Sequence, residues 1–101
     1  MAARADLAID EASIAIVGVL DFDSVVELNA EGQRWLQDIA PAQCRLDLAR
    51  VTYSSSAGVA LVLGWLRTAA RAKKNLEIIN MPSDMAALVR VSGLDDLLRS
   101  A

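Results

Sequence analysis

Apolar and polar residues alternate with the period of a β-strand in several short segments of the chain. Residues 7–9 and 13–17 are two such segments, and only Asp10, Glu11 and Ala12 separate them. Two strands this close along the chain favour an antiparallel hairpin. Residues 44–48, with Leu46 and Leu48 on one face, and residues 76–79 predict two further strands.

Between these strands the apolar residues follow the spacing of amphipathic helices. The first helix is predicted to begin at Ser24, because Ser24 and Glu27 match a capping box, and to stop before Pro41. Asp23 is an alternative cap for the same helix start. The predicted apolar face of this helix comprises Val25, Leu28, Trp35, Leu36 and Ile39.

Three more helices are predicted after the third strand. One covers residues 57–73, and the next opens at Pro82-Ser83, carries Met85, Leu88 and Val89 at helical spacing, and ends at Gly93. Gly93 stands where a left-handed C-terminal cap is expected. Leu94, Leu97 and Leu98 predict a short final helix.

The order β-β-α-β-α-β-α-α predicts an α/β fold. Strands that alternate with helices pair in parallel through right-handed crossovers. We therefore expect a mixed, mostly parallel β-sheet with an antiparallel N-terminal hairpin, packed by about four helices. The 101 residues, 54% of them hydrophobic, predict a single domain over residues 1–101.

Charge and composition exclude several classes of function. A net charge of -3 argues against nucleic-acid binding, which needs a basic face. The chain has no histidine, and its lone Cys44 forms neither an intrachain disulfide nor a multi-cysteine metal site, so we expect no metal and no cofactor. An enzyme is not expected either, because the serines have no evident base to activate them. The N-terminus lacks the apolar core of a signal peptide, and the apolar run 59–66 is too short to span a membrane, which favours a cytoplasmic protein.

The chemistry of most interest lies where the strand 44–48 leads into the second helix. Ser54, Ser55 and Ser56 follow one another there. One of them is expected to cap the helix, since serine is a favoured N-cap that contributes about 1 kcal/mol. Ser56 is also a candidate switch, because a phosphate at a helix start is tolerated by the dipole and changes the surface that a partner meets.

Three segments of the sequence resemble STAS domains, the family of anti-sigma-factor antagonists and sulfate-transporter tails. Residues 47–61, DLARVTYSSSAGVAL, resemble the family signature of a strand that leads through a hydroxyl-bearing turn to an apolar helix. Gly18-Val-Leu-Asp21 and residues 89–97, VRVSGLDDL, resemble two further family motifs. The resemblance spans nearly the whole chain and implies the STAS fold.

Within the family, the chain most resembles the small STAS subunits of Mla-type phospholipid-transport ABC complexes of Gram-negative bacteria. That resemblance implies a non-catalytic subunit that binds the ABC transporter ATPase subunit, which is MlaF-like, within a complex with permease and substrate-binding subunits. The complex maintains lipid asymmetry of the outer membrane. The implied location is the cytoplasm, peripheral to the inner membrane, with membrane association only through the complex.

Carried over by position, Ser56 falls on the family's phosphorylatable Ser or Thr. Ser55 falls on the family's preceding Asp, and Ala49 on a family Ser. The missing carboxylate weakens the alternative function, a phosphorylation-regulated anti-sigma-factor antagonist, and favours a constitutive docking surface. The expected partner-binding residues are Ser54, Ser55, Ser56, Gly58, Val59, Leu61 and Trp65.

Features of the second helix add three further expectations. Trp35 and Trp65 are both expected to pack in the core or half-buried. A helix that is apolar on most of its circumference is either buried or bound to a partner, and of the two tryptophans Trp65 is the better candidate for an interface anchor because Trp is enriched in binding hot spots. Gly32 and Gly64 each destabilise a helix by roughly 1 kcal/mol relative to Ala, and close packing would account for them. The basic cluster Arg67, Arg71, Lys73 and Lys74 is interpreted as complementing the helix dipole, with attraction to anionic lipid as the alternative.

Overall fold

A computed structural model of the protein describes residues 5–93. Four strands form one sheet in the order β1-β2-β3-β4: β1 Ala5–Ile9, β2 Ser13–Leu20, β3 Gln43–Ser54 and β4 Asn75–Ile79. β1 pairs with β2 antiparallel, whereas β2–β3 and β3–β4 are parallel. The predicted N-terminal hairpin and the mixed, mostly parallel sheet are therefore confirmed.

Helices connect the parallel strands and cover one face of the sheet. α1 is Phe22–Arg34 and continues into a π-helical turn, Trp35–Ile39; α2 is Ser56–Arg71 and α3 is Ser83–Val91. Ile14 and Ile16 of β2 are buried while the alternate residues, Ala15 and Val17, are partly exposed, so the helices pack on the isoleucine face. The predicted fourth helix, with Leu94, Leu97 and Leu98, lies outside the described residues.

The core lies between this sheet face and the helices. Its largest fully buried side chains are aliphatic residues of the strands and residues of α2, α3 and the π turn: Trp35, Trp65, Ile14, Ile16, Leu20, Leu36, Leu46, Leu48, Leu76, Met85, Val62 and Thr68. The core position expected for Trp35 is confirmed. Gly93 ends α3 with φ +71°, the left-handed conformation expected of a C-terminal glycine cap.

β3 is longer than predicted, because it runs through to Ser54 instead of ending at Leu48. The pairing of β2 with β3 shifts register twice, so that β3 carries more residues than β2 over the same length. The buried positions after Leu48 are Val51 and Ser54, three residues apart. β-bulges break the two-residue alternation in this way, and a reading based on alternation therefore loses the strand at the first bulge.

The start and end of α1 differ from the prediction. Asp21, not Ser24 or Asp23, is the N-cap: its side chain accepts a hydrogen bond from Ser24 N at 3.0 Å, and Asp21 N donates to Ser24 Oγ at 2.9 Å. The capping box is thus one turn earlier than Ser24 with Glu27. At the other end, Ala40 N donates to Trp35 O at 2.7 Å across the π turn. The wider turn changes the helical phase, and Ile39 is 63% exposed instead of lying on the apolar face.

Candidate functional site

The candidate site is the edge of the sheet where β2 and β3 end and α1 and α2 begin. Ser55 N donates to Leu20 O at 2.9 Å, which joins the start of α2 to the end of β2. Leu20 and Ser54 are neighbours in the parallel register, so both chains turn into their helices at the same level. This arrangement brings the first turns of α1 and α2 side by side.

The three serines have three different environments. Ser54 is 3% exposed and donates from Oγ to Ser55 O at 3.0 Å. Ser55 is the N-cap, and its Oγ accepts a hydrogen bond from Ala57 N at 3.2 Å. Ser56 is the first residue of α2 and is exposed. The prediction that one serine caps the helix is confirmed, and Ser56 alone of the three is exposed.

The other predicted docking residues on α2 face inward. Gly58, Val59 and Leu61 are all buried. A Cβ at Gly58 would overlap Ser54 Oγ and lie 3.1 Å from Leu20 Cβ, so Gly58 allows α2 to start directly against the ends of β2 and β3. The site is therefore supported from the core side by Gly58, Val59 and Leu61, which are not on the surface.

Trp65 lies in the core and does not form the surface anchor that the sequence suggested. It is 0% exposed, and its indole Nε1 donates to Asn29 Oδ1 of α1 at 3.1 Å. Its ring packs over Gly32, where an added Cβ would overlap it. α2 is apolar on most of its circumference because it is covered by α1, the π turn, α3 and the sheet. Burial therefore accounts for Trp65 and for most of the apolar circumference of α2.

An apolar groove between α1 and α2 extends downward from Ser56. It encloses about 380 Å³ and is lined by Phe22, Val25, Val26, Asn29, Gln33, Ala57, Ala60, Leu61 and Gly64. Phe22 and Val26, one turn apart on α1, are 72% and 76% exposed. Neither residue was among the partner-binding residues predicted from the sequence. The sequence signal for them was two large apolar residues at spacing i, i+4 that lie outside the buried stripe of α1.

A hydrogen-bond network forms one wall of the groove. The indole Nε1–H of Trp65 can only donate a hydrogen bond, so the Asn29 side chain must direct its Oδ1 toward the indole. Gln33 Nε2 donates to the same Oδ1 at 3.4 Å, and Gln33 Oε1 accepts from Thr68 Oγ1. The Asn29 Nδ2 group therefore has no acceptor among residues 5–93 and offers N–H donors at the exposed side of α1.

Two titratable groups with shifted pKa values, Cys44 and Asp47, lie away from this edge. Burial raises the pKa of the Cys44 thiol, which keeps it protonated and chemically quiet. A hydrogen bond from Ala49 N and another from the Asn80 side chain lower the pKa of Asp47. Within residues 5–93 the His, Cys, Asp and Glu side chains form no cluster suited to a metal ion, and that part of the chain has no helix long and apolar enough to cross a membrane.

Comparison with protein families identifies the class of protein. The family model described as "Mlab, STAS domain" matches residues 3–99. The chain therefore belongs to the STAS domain family. A comparison with curated proteins gave no match.

Two solved structures resemble the chain over most of its length. One is the anti-sigma factor antagonist SpoIIAA in its unphosphorylated form, with a TM-score of 0.70 and 22% sequence identity, covering 89% of this chain and 81% of that one. The other is the Bacillus cell fate determinant SpoIIAA in the phosphorylated form, with a TM-score of 0.69 and 23% identity, covering 91% and 86%. At this identity the two structures support the α/β STAS fold.

Proposed function

We propose that this chain is a non-catalytic, MlaB-like subunit that binds the ATPase of a Mla-type ABC phospholipid transporter and supports its assembly or activity. In this role it sits in the cytoplasm, at the inner membrane through the complex with permease and substrate-binding subunits, and helps to maintain lipid asymmetry of the outer membrane. The description of the matching family model, which spans residues 3–99 of the chain, favours this subfamily.

One observation carries the protein-binding role: the exposed apolar residues Phe22 and Val26 line one groove with Ala57, the residue that follows the exposed Ser56. Large apolar side chains that are mostly in water mark a surface that a partner covers. Ser54 and Ser55 are held by backbone contacts, so they set the position of Ser56 without competing for the partner. The docking surface we propose is Phe22, Val26, Ser56 and Ala60.

The test is co-purification of the tagged full-length chain from native extracts of its own bacterium, followed by identification of an ABC ATPase. ATP hydrolysis by the recovered ATPase is then measured with and without the chain. Ser56→Arg is expected to abolish co-purification, because it places a bulky charge at the edge. Ser83→Arg is the matched control, since Ser83 is also an exposed first residue of a helix. Recovery of a monomer without any ATPase would contradict the proposal, as would equal capture by Ser56→Arg and the parent chain.

A second function, a phosphorylation-regulated anti-sigma-factor antagonist, is favoured by the position of Ser56. Its hydroxyl is exposed at the first position of a 16-residue helix, where the dipole and the free amides of the first turn stabilise an added phosphate. The fold is also shared with SpoIIAA, which is known in phosphorylated and unphosphorylated forms.

Phosphopeptide mass spectrometry on the chain isolated from cells distinguishes the two functions. An antagonist would carry phosphate on Ser56, and binding to its partner would be lost in Ser56→Glu and kept in Ser56→Ala. An ATPase subunit would show unmodified Ser56 under all growth conditions and would recover an ABC ATPase.

A further inference from the structure

The charge around the α1–α2 groove changes from its upper end, at Ser56, to its lower end. On α2, Ala57, Ala60 and Gly64 lie at spacings of three and four and line the groove; the same spacing continues to Arg67 and Arg71. Beyond Gly64, the face of α2 that lines the groove thus leads from small apolar residues to two arginines.

These arginines have no carboxylate partner in the described part of the chain. The ion pair found among residues 5–93 joins Arg45 to Glu77, at 3.6 Å and on the sheet. Arg67 and Arg71 are both exposed, and they continue the small-residue face of α2 beyond Gly64. A guanidinium prefers planar, bidentate contact with a carboxylate. Two unpaired guanidinium groups on the continuation of the groove face therefore indicate an occupant that carries carboxylates.

The dimensions and the floor indicate that the occupant is a helix. The groove follows α2 from Ala57 to Gly64 for about 10 Å, or roughly two helical turns, and the same helix face extends to Arg71, about 21 Å or roughly four turns from Ala57. Ala57, Ala60 and Gly64 have little or no side chain, and nothing lies within 4 Å of a Cβ added at Gly64. Small residues on one helix allow the backbone of a second helix to approach closely, while Phe22 and Val26 pack along its side.

We infer that the groove binds an amphipathic helical segment of the partner protein whose apolar stripe lies on Ala57, Ala60 and Gly64 and whose acidic residues pair with Arg67 and Arg71. Asn29 Nδ2 donates to an acceptor near the middle of that segment. This inference rests on the proposed protein-binding function and adds to it the chemistry of the partner's contact segment.

The test begins with a displayed library of helical peptides of about four turns that carry a fixed Leu/Ala stripe and random polar positions. The library is selected on the full-length chain and counter-selected on the variant with Arg67→Glu and Arg71→Glu. We expect the selected peptides to be enriched in Asp and Glu at one end. Enrichment of Lys and Arg, or no enrichment of charge, would overturn the inference.

The selected peptide is then titrated into isotope-labelled chain and followed by NMR. The Gly64 amide and the Trp65 indole N–H, which is bonded to Asn29 in the groove wall, are expected to shift with saturation. The buried Trp35 indole, which has no hydrogen-bond partner in the described structure and does not line the groove, is expected to stay unchanged. Unchanged Gly64 and Trp65 signals would place the binding site elsewhere and overturn the inference.

Charge reversal tests the pairing itself. Arg67→Glu should weaken the acidic peptide by about tenfold, since an attraction becomes a repulsion, and a Glu-to-Lys peptide should regain affinity for that variant. Arg90→Glu is the matched control, because Arg90 is an exposed arginine near the end of α3. Equal weakening by Arg67→Glu and Arg90→Glu would contradict the specific pairing.

Other occupants of the groove have distinct outcomes, and each of them overturns the inference. Anionic phospholipid vesicles that compete fully with the peptide, with the same dependence on Arg67, would assign the surface to a membrane. Gly64 shifts that depend on protein concentration without peptide would assign it to a second copy of the chain. If no acidic helical peptide binds the chain, but the chain still captures an ABC ATPase in a Ser56-dependent way, this inference alone is refuted. Peptide binding without any captured ATPase would refute the proposed transporter role alone.

Discussion

Gly32 and Gly64 are both mid-helix glycines, yet their surroundings are opposite. At Gly32 an added Cβ would overlap the ring of Trp65, whereas at Gly64 nothing lies within 4 Å. Gly32 lets α1 and α2 approach each other around the buried indole, and so contributes to stability. Gly64 destabilises its helix relative to Ala and relieves no crowding. Close packing therefore explains Gly32. For Gly64 we propose that the open groove is the reason.

The largest expected effect is that of Gly32→Ala. The new methyl group cannot be accommodated without moving a fully buried Trp65, and overpacking of this kind destabilises a fold by about 3 kcal/mol. The gain in helix propensity, roughly 1 kcal/mol, offsets only part of it. Urea denaturation followed by circular dichroism measures the change. A neutral or stabilising result would mean that Trp65 moves easily and that close packing does not explain Gly32.

Gly58→Ala sharpens the comparison with an intermediate case. The added Cβ would overlap Ser54 Oγ and lie 3.1 Å from Leu20 Cβ, so part of the conflict is with a small polar group. We expect destabilisation of roughly 1 to 2 kcal/mol. The double variant Ser54→Ala, Gly58→Ala should recover part of that loss by removing the hydroxyl. If the double variant is no more stable than Gly58→Ala, the conflict is with Leu20 instead.

Gly64→Ala is expected to act in the opposite direction. It should stabilise the free protein by up to about 1 kcal/mol, because alanine favours the helix and the methyl group meets no neighbour. It should also weaken partner binding, since the methyl group occupies the groove floor. Thermal unfolding and co-purification with the partner measure the two effects. Higher stability with unchanged capture would remove the functional reason for Gly64.

The α/β order, the hairpin and the parallel pairs followed from hydrophobic period and loop length, which are local properties of the sequence. The course of β3 beyond Leu48 did not, because its two bulges depend on the register with β2. The exposure of Ile39 depends on a π turn that no local pattern announced. Local reasoning failed where the backbone departs from regular geometry.

The sequence predicted where the candidate site lies, but it did not predict which of its residues are on the surface. The serine cluster identified the edge, and the exposed Ser56 lies there. Whether Gly58, Val59, Leu61 and Trp65 face a partner or the core depends on what packs against α2, which is a property of the tertiary structure. Phe22 and Val26 form the open wall because the single stripe of α1 that faces the core passes beside them.

The smallest expected effect is that of Asp47→Asn, on the face of the sheet opposite the helices. It serves as a reference variant for the glycine substitutions because it lies away from the groove. Hydrogen bonds from Ala49 N and Asn80 lower the pKa of Asp47. Its carboxylate therefore stabilises the fold above the ordinary aspartate pKa of about 3.9, and this contribution is lost as the pH falls through the lower pKa of the folded state. Asp47 is close to solvent and asparagine still accepts hydrogen bonds, so we expect a loss of a few tenths of a kcal/mol at neutral pH.

Urea denaturation of Asp47→Asn and the parent chain between pH 7 and pH 2 measures this contribution, and the difference between them should shrink toward the acid end. Partner capture at neutral pH should be unchanged, because Asp47 lies on the sheet beside Asn80 and away from the groove. Reduced capture by Asp47→Asn would show that a general loss of stability weakens binding. In that case the binding defect expected for Gly64→Ala, a stabilised variant, would become the sharper evidence for a local role of the groove.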